Sequence, residues 1–377
     1  MVRRTAGFTL VELLLAATIM LLIMAGLFGV ASASQRAFRT QPTELDMQQR
    51  LRTAAEVLIA DLSQAGSGPV NGLFGAPLGH TVPSVLPYRV GSRGDPVGVD
   101  RSDAITVIAA LPGAAAVPLR DPFASGSTSW ARLDWVPACP AGDPACGVKA
   151  GSAVILVDGH GHADLFSVAD VSSDRLQLAP RGAVSRAVFP AGSWVVPVGI
   201  DVYALRTGGA EEGRQLVHGD GEQPEMPQID HVAWLSFEYF GEPQPPRMRV
   251  APRAGEPVTT YGPAPPPFGV DDDQDAWQAG ENCTFTAASG AIVPRLPLLG
   301  SGRPALVPLS SANLTDGPWC RDGSTANRYD ADVLRIRRIR VCLRVEAASS
   351  SPRASGSLVP EQQVVFDVVP RTLATGR

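Results

Sequence analysis

The hydrophobic pattern is most uneven at the start of the chain, where apolar residues run almost without interruption. In the 19 residues Leu13–Ala31, Thr18 is the only side chain outside the apolar and glycine set. This run is long enough for a membrane-spanning helix and exceeds the roughly 7–15 apolar residues of a secretory signal. Arg3 and Arg4 precede it. The positive-inside rule therefore predicts a single-pass protein whose remaining chain lies outside the cytoplasm.

A helical pattern continues after this run. Pro42 is predicted to kink or interrupt the helix, with Thr43 as a fresh N-cap. From Thr43 onward, apolar residues recur at steps of four and three, which predicts one buried stripe packed on a sheet. Gly66 is the predicted end of this helix. The stripe consists of Met47, Leu51, Ala55, Leu58, Leu62 and Ala65.

From residue 70 the pattern changes to short β-like runs separated by turns. The predicted strands are Ala104–Ala110, Ala131–Val136, Ala153–Val157, Asp164–Val168, Arg175–Leu178, Ser193–Val198, Asp201–Leu205, Ala233–Phe240, Val333–Val345 and Gln363–Val369. Within Val333–Val345, Ile339, Val341, Leu343 and Val345 alternate with Arg338, Arg340, Cys342 and Arg344. Such alternation is typical of an antiparallel strand with one dry and one wet face. The predicted fold class is α+β, a long N-terminal helix packed on an antiparallel β-sheet head.

A proline-rich segment interrupts the late strands. Gly241–Phe268 holds nine prolines in 28 residues, which excludes it from a sheet interior. We predict a long Pro-rich insertion over residues 241–330 that runs as an extended, partly polyproline surface excursion.

Composition narrows the classes of function. The chain has 377 residues, a net charge of −5 and no basic block, so no high-affinity nucleic acid partner is predicted. Motifs such as G-x-S-x-G, the Walker loop, the dinucleotide fingerprint and H-E-x-x-H are absent from the sequence. We therefore predict no enzyme and no catalytic or cofactor-binding residues.

Glu12 is anomalous, because a carboxylate at the edge of an apolar run is costly near lipid and needs a partner. Residues 7–12, GFTLVE, and the apolar residues after them resemble the class III signal of type IV pilins and type II secretion pseudopilins. The resemblance implies that a prepilin peptidase cuts after Gly7, that Phe8 becomes the N-methylated mature N-terminus, and that Glu12 is the fifth mature residue.

The chemistry of this processing gives Glu12 a partner. Cleavage leaves a cationic amine on Phe8 at the membrane edge, and Glu12 of a neighbouring subunit can neutralise it as helices pack side by side. Glu12 then sets the register of assembly.

Two alternative interpretations of the N-terminal segment stay open: a secretory signal cleaved after Ala33, releasing a protein that starts at Ser34, and an uncleaved signal anchor.

The order of the later segments is similar to that of PilW-like minor pilins. The similar segments are Ser102–Val107, Ser152–Leu178, Val232–Phe240 and the helix end at Asp61–Gly66. The resemblance implies an inner-membrane minor pilin that meets other minor pilins and the major pilin, initiates or caps type IV pilus assembly, and reaches the cell surface. The alternatives are a J-like secretion pseudopilin, a pilus-tip adhesin or a DNA-uptake subunit, and more distantly a secreted enzyme.

These inferences divide the chain into six segments: a leader (1–7), a transmembrane half-helix (8–33), an extramembrane helix (34–66), a β-rich head (67–240), the insertion (241–330) and the final strands and tail (331–377).

Five cysteines on the outside of the cytoplasm predict disulfides. Four paired and one free allow 15 schemes. Cys139–Cys146 is favoured because Pro140 and Asp143-Pro144 favour a chain reversal, and Cys283–Cys320 within the insertion comes next, which leaves Cys342 odd.

Two patterns allow a metal. Asp271, Asp273 and Asp275 alternate and could hold calcium, although an EF-hand would need glycine and glutamate where Ala276 and Asn282 stand. A solvated acidic turn is the alternative, and no other cofactor is predicted. The second pattern, Asp158, His160, His162 and Asp164, is interpreted as a Gly-rich hairpin turn.

Overall fold

The computed structural model describes residues 9–67, 82–96, 98–111, 115–158, 162–181, 188–209, 212–247, 261–262, 265, 278–300, 305–320, 328–348, 360–370 and 373, with the backbone alone for 33–40. This part of the chain contains one α-helix, α1 (Leu10–Gln64), and 20 strands. The strands are β1 (Val85–Leu86), β2 (Ala104–Ala110), β3 (Val117–Pro118), β4 (Phe123–Ala124), β5 (Ser129–Arg132), β6 (Ala153–Val157), β7 (Ala163–Ser172), β8 (Arg175–Pro180), β9 (Val188–Phe189), β10 (Trp194–Thr207), β11 (Arg214–Gly219), β12 (Met226–Ile229), β13 (Val232–Gly241), β14 (Phe285–Ala288), β15 (Ala291–Pro294), β16 (Val307–Leu309), β17 (Trp319–Cys320), β18 (Tyr329–Asp330), β19 (Ile336–Glu346) and β20 (Glu361–Val368). Two 3-10 turns lie at Ala312–Leu314 and Ala331–Arg335.

Helix α1 is continuous for 55 residues, with Pro42 inside it. The predicted interruption at Pro42 and the fresh N-cap at Thr43 are therefore wrong. Proline removes one backbone hydrogen bond and costs a helix interior about 3 kcal/mol. Gln41, Pro42 and Glu44 are all exposed, so water can bond the carbonyl that loses its donor while the turns on either side continue.

The second half of α1 buries one stripe of side chains. Its buried residues are Met47, Leu51, Ala54, Leu58, Leu62 and Ala65. Ala54 takes the place predicted for Ala55, because two successive steps of four overshoot two turns of a 3.6-residue helix. The helix ends at Gln64, and Gly66 follows with φ 70°, donating its N–H to the carbonyl of Ile108 at 2.9 Å. The glycine thus turns the chain onto β2.

The larger sheet has ten strands, and its paired strands are antiparallel. The main order is β1-β2-β10-β6-β7-β8-β5, with β3 and β11 also paired to β10 and β12 paired to β11. The two strands predicted within 193–205 form one strand, β10, because β2 pairs across the junction at Gly199 and Ile200.

The smaller sheet has the order β16-β13-β19-β20, again antiparallel. In β19 the predicted alternation is confirmed, since Ile339, Val341, Leu343 and Val345 are buried and the alternate residues are half-buried, namely Arg338, Arg340, Cys342 and Arg344. Residues 333–335, predicted as strand, instead belong to a 3-10 turn. Asp330 caps that turn by accepting the N–H of Asp332, and this starts a helical turn before the strand begins.

Part of the insertion joins the head rather than leaving it. Strand β16 pairs with β13, placing Leu309 opposite Tyr239. Tyr261, Cys283 and Leu296 belong to the main core. Residues 248–260, 263–264 and 266–277, which include most of the proline-rich stretch, lie outside the described residues. The described part of the insertion is therefore held by sheet pairing and by burial.

The described part of the head has two large hydrophobic cores and a small third cluster of Ala104, Ala204 and Val217. The main core lies between the stripe of α1 and the inner faces of both sheets, where α1 contacts β2, β12, β19 and β20. A second core lies on the other face of the larger sheet, around the edge-to-face rings of Phe123, Phe166 and Phe189. Strand β6 serves both, with Ile155 and Val157 in the main core and Val154 and Leu156 in the second. The fold is α+β, as predicted.

Candidate functional site

The first turn of α1 carries a complete capping box. Thr9 is the N-cap, and its side chain accepts the N–H of Glu12 at 3.4 Å. In return Glu12 Oε2 accepts the Thr9 N–H at 3.0 Å and the Thr9 hydroxyl at 2.9 Å. This arrangement satisfies orphan donors at the helix start and places the anion at the positive end of the helix dipole. Threonine followed three residues later by glutamate is a signal readable from sequence.

Beyond this cap, α1 presents an apolar surface that nothing in the described head covers. The span Leu10–Ser32 has 23 residues, a mean hydropathy of 2.6 and no buried share. Leu22 and Phe28 are 74% and 73% exposed. At 1.5 Å per residue the span is about 35 Å long, which matches the roughly 30 Å hydrocarbon core of a bilayer. By length and composition this segment of α1 is able to cross a membrane.

The few polar side chains of the span satisfy themselves. The Thr18 hydroxyl donates to the carbonyl of Leu15 at 2.8 Å, and the Ser32 hydroxyl donates to that of Gly29 at 2.9 Å. Such local bonds leave no unpaired hydroxyl facing hydrocarbon. A Cβ added at Gly26 or Gly29 would meet nothing within 4 Å, so this part of the helix is open to close approach by another helix.

The structure describes only part of the predicted N-terminal site. Glu12 lies in the first turn with an exposed side chain, as its sequence position requires. Gly7 and Phe8 lie outside the described residues, so their placement stays a sequence prediction.

At the other end of α1, four polar side chains from three elements meet. Asp61 on α1 accepts a short hydrogen bond from the hydroxyl of Tyr203 on β10. His218 on β11 lies with Nε2 2.8 Å from Oδ1 of Asp201, also on β10. The rings of Tyr203 and His218 stack with centroids 4.6 Å apart. We call Asp61, Asp201, Tyr203 and His218 the junction cluster; it connects α1 to the larger sheet.

The electrostatics of the junction cluster are dominated by its carboxylates. Hydrogen bonding to Asp201 raises the pKa of His218, and the nearby charges of Asp61 and Asp220 act in the same direction. Burial, reinforced by the bond to Asp61, raises the pKa of Tyr203 well above its usual value, so the phenol stays protonated and donates. Sequence inspection missed this cluster because neither spacing nor motif brings the three elements together.

The other candidate sites are distributed around the head. Asp271, Asp273 and Asp275 lie outside the described residues. His160 does too, whereas Asp158 and His162 are buried where β6 meets β7, with His162 Nδ1 2.8 Å from Asp158 Oδ2. A further carboxylate cluster at Asp316, Asp330 and Asp332 was not anticipated. Burial raises the pKa of Asp330 to about 6.

The cysteine pairs in the structure are those favoured by the sequence. Cys139 is bonded to Cys146 and Cys283 to Cys320, each with 4.7 Å between the Cα atoms. Cys342 is a free thiol on the outer face of β19, with the amide nitrogen of Gln363 3.2 Å from its sulfur. The first bridge closes a turn beside the second core, and the second joins two parts of the insertion, with both of its cysteines buried in the main core.

Comparison with known proteins identifies the N-terminal segment alone. A family model described as the prokaryotic N-terminal methylation motif matches residues 2–28. No curated protein matches the chain. The matched residues include Gly7, Phe8 and Glu12 and end within the exposed half of α1. The motif and the apolar helix support a type IV pilin-like protein that prepilin peptidase processes, with α1 as its membrane anchor and the rest of the chain outside.

Proposed function

We propose that this chain is a PilW-like minor pilin, cleaved between Gly7 and Phe8 and N-methylated on Phe8, that takes part in initiating or capping type IV pilus assembly. Its partners are prepilin peptidase, other minor pilins and the major pilin, and its role is mechanical rather than enzymatic. It starts in the inner membrane with its head in the periplasm and passes into the pilus.

The observation that carries the proposal is the position of Glu12 at the start of an uncovered apolar helix. Both bonds from Thr9 reach Oε2. No bond from the described residues reaches Oε1, which is therefore available to a cation from another subunit. The methylated amine of a neighbouring Phe8 is the cation that processing places at this depth. A charge pair removed from water strongly favours subunits in register over subunits that leave both ions alone.

The rest of α1 supports assembly by helix packing. The exposed apolar side chains of Leu10–Ser32 are more stable in contact with lipid or with another helix than in water. The head holds the second half of α1 by its buried stripe, so a force on the anchor reaches both sheets. The described part of the insertion is held to the head by the pairing of β16 and by its residues in the main core, and the Cys283–Cys320 bridge braces it internally, so it is carried with the head as one folded unit.

Mass spectrometry of the protein purified from its native membrane tests the processing step. We expect an N-terminal peptide that begins with methylated Phe8. A mature chain that begins at Ser34 or retains Met1 contradicts the proposal.

A deletion strain tests the machine. We expect loss of surface pili and of twitching motility with protein export unchanged, restored by the wild-type gene but not by a variant that blocks cleavage at Gly7. Loss of export with normal pili would instead identify a J-like pseudopilin of the secretion system. Normal pilus number with lost surface or DNA attachment would identify a tip adhesin or DNA-uptake subunit.

A further inference from the structure

The junction cluster has the composition and geometry of a metal-ligand set. Asp61, Asp201 and His218 each offer one ligand atom, and these atoms lie within 4.8 Å of one another. They come from α1, β10 and β11, so the site is assembled by the fold rather than by one loop. Two carboxylates and an imidazole are typical ligands of zinc and of other first-row divalent metals.

Among the described side chains, no arginine or lysine pairs with Asp61 or Asp201. Asp201 pairs with the imidazole of His218, which balances one negative charge while it is protonated. Arg181 pairs instead with Asp220, 2.9 Å away. With a neutral imidazole the ligand set therefore carries two negative charges, which a divalent cation neutralises.

The surroundings also fix the ligands in the way metal sites require. The Tyr203 hydroxyl donates to Oδ2 of Asp61, which orients that carboxylate and leaves Oδ1 for a metal. The same ring stacks on His218 and fixes the plane of the imidazole. The side chains of His218 and Asp201 are 32% and 34% exposed, so an ion has access from solvent.

We propose that Asp61, Asp201 and His218 bind a divalent transition metal, with Zn²⁺ the best fit, and that the ion clamps the end of α1 to the larger sheet. Zinc binds these ligand types at about 2.0–2.2 Å, and with three protein ligands its fourth position takes water. Ligand atoms on a tetrahedral zinc lie about 3.4 Å from one another. The atoms of Asp201 and His218, 2.8 Å apart, therefore move slightly apart and Asp61 moves closer, with shifts of about 1 Å or less at each side chain. Binding through Nε2 of His218 displaces any proton shared with Asp201, and that proton leaves to solvent. This site is independent of the proposed role in pili.

Zinc titration of the full chain in detergent micelles tests the proposal. The protein is first stripped with EDTA, and Zn²⁺ binding is measured by competition with a chromogenic chelator. Cys342→Ser serves as the background because it removes the free thiol as a zinc ligand. We expect one equivalent of zinc to bind with a dissociation constant near 1 μM or tighter.

Two variants and a matched control locate the ion. His218→Gln and Asp201→Asn are expected to weaken zinc binding by more than about 100-fold, because removing a direct ligand costs more than the 10–100-fold effect of losing an outer partner. His231→Gln removes a histidine outside the cluster and is expected to leave the affinity unchanged. Circular dichroism at the titration temperature confirms that each variant is folded.

Localisation by NMR separates the clamp from accidental binding elsewhere. Zinc is expected to shift the imidazole resonances of His218 before those of any other histidine. Unchanged affinity in both His218→Gln and Asp201→Asn, equal loss in His231→Gln, or no binding below about 100 μM would overturn the proposal and leave the cluster as a hydrogen-bonded junction.

Discussion

Removing the hydroxyl of Tyr203 tests how strongly the junction cluster holds α1 to the head. Tyr203 is fully buried, and its hydroxyl donates to the carboxylate of Asp61. Tyr203→Phe deletes this bond and keeps the ring and its stacking on His218. The two partners lie in different elements, so the bond contributes to tertiary rather than to local structure.

The expected cost follows from the chemistry of the bond. Hydrogen bonds to charged groups contribute about 1.5–3 kcal/mol, and the partial exposure of Asp61 lowers this to about 1–2 kcal/mol because water can replace the lost donor. With an unfolding entropy of about 2.1 cal/mol/K per residue, each kcal/mol shifts the unfolding midpoint of a 377-residue chain by about 1–1.5 °C. Tyr203→Phe is therefore expected to lower Tm by about 1–3 °C.

Tyr239→Phe is the matched control. Tyr239 is 3% exposed, and its hydroxyl has no hydrogen-bond partner among the described residues. A buried hydroxyl without a hydrogen-bond partner carries an uncompensated desolvation cost. Deleting it removes that cost, so Tm should stay constant or rise.

Thermal unfolding of the full chain, followed by circular dichroism in detergent with EDTA present, distinguishes the two variants. EDTA keeps any bound metal from contributing to the difference. A Tm for Tyr203→Phe equal to that of the wild type, or a larger fall for Tyr239→Phe than for Tyr203→Phe, would refute the reasoning.

Three further variants test the core, the pH response and the N-terminal site. Leu58→Ala should lower the free energy of unfolding by about 2–5 kcal/mol because Leu58 is fully buried. Ile59→Ala, at a position 42% exposed, should cost well under half of that. Chemical denaturation measures both losses, and equal losses would contradict the assigned stripe. Burial raises the pKa of Asp330 to about 6 from an unfolded value near 3.8, so its ionisation destabilises the fold as pH rises from about 4 to 6, by up to about 3 kcal/mol. Asp330→Asn should flatten that part of the stability curve, and an unchanged slope would show that Asp330 keeps an ordinary pKa. Glu12→Gln should leave membrane insertion intact and greatly reduce pilus number in a complemented deletion strain. Thr9→Ala, which breaks the capping box and keeps the charge of Glu12, should still assemble pili. Wild-type pilus number in the Glu12→Gln strain would rule out the register role.

The sequence predicted best where local periodicity coincides with burial. In β19, strict alternation placed Ile339, Val341 and Leu343 on the buried face, and the structure confirms it. The apolar run and the segment around Glu12 are likewise recognisable from sequence, because the ability of a helix to cross a bilayer depends on its length and composition rather than on tertiary contacts.

Boundaries and breaks were less predictable because neighbouring elements decide them. Gly199 reads as the end of a strand, yet pairing with β2 carries β10 through it. Pro42 reads as the end of a helix, yet α1 continues on both sides of it. One unfavourable glycine or proline destabilises a helix or strand by at most a few kcal/mol, and the pairing or packing of the whole element stabilises it by more than that.

The sequence by itself determined the membrane segment, the processing motif, the α+β class and the stripe that docks α1, since each depends on residues that are near one another in the chain. Tertiary structure alone decided the junction cluster. Asp61, Asp201 and His218 are separated by up to 157 positions, and only the docking of α1 across β10 and β11 brings their ligand atoms together. A property that depends on contacts between distant segments has no period or spacing in the sequence, and so it becomes visible only when the chain is folded.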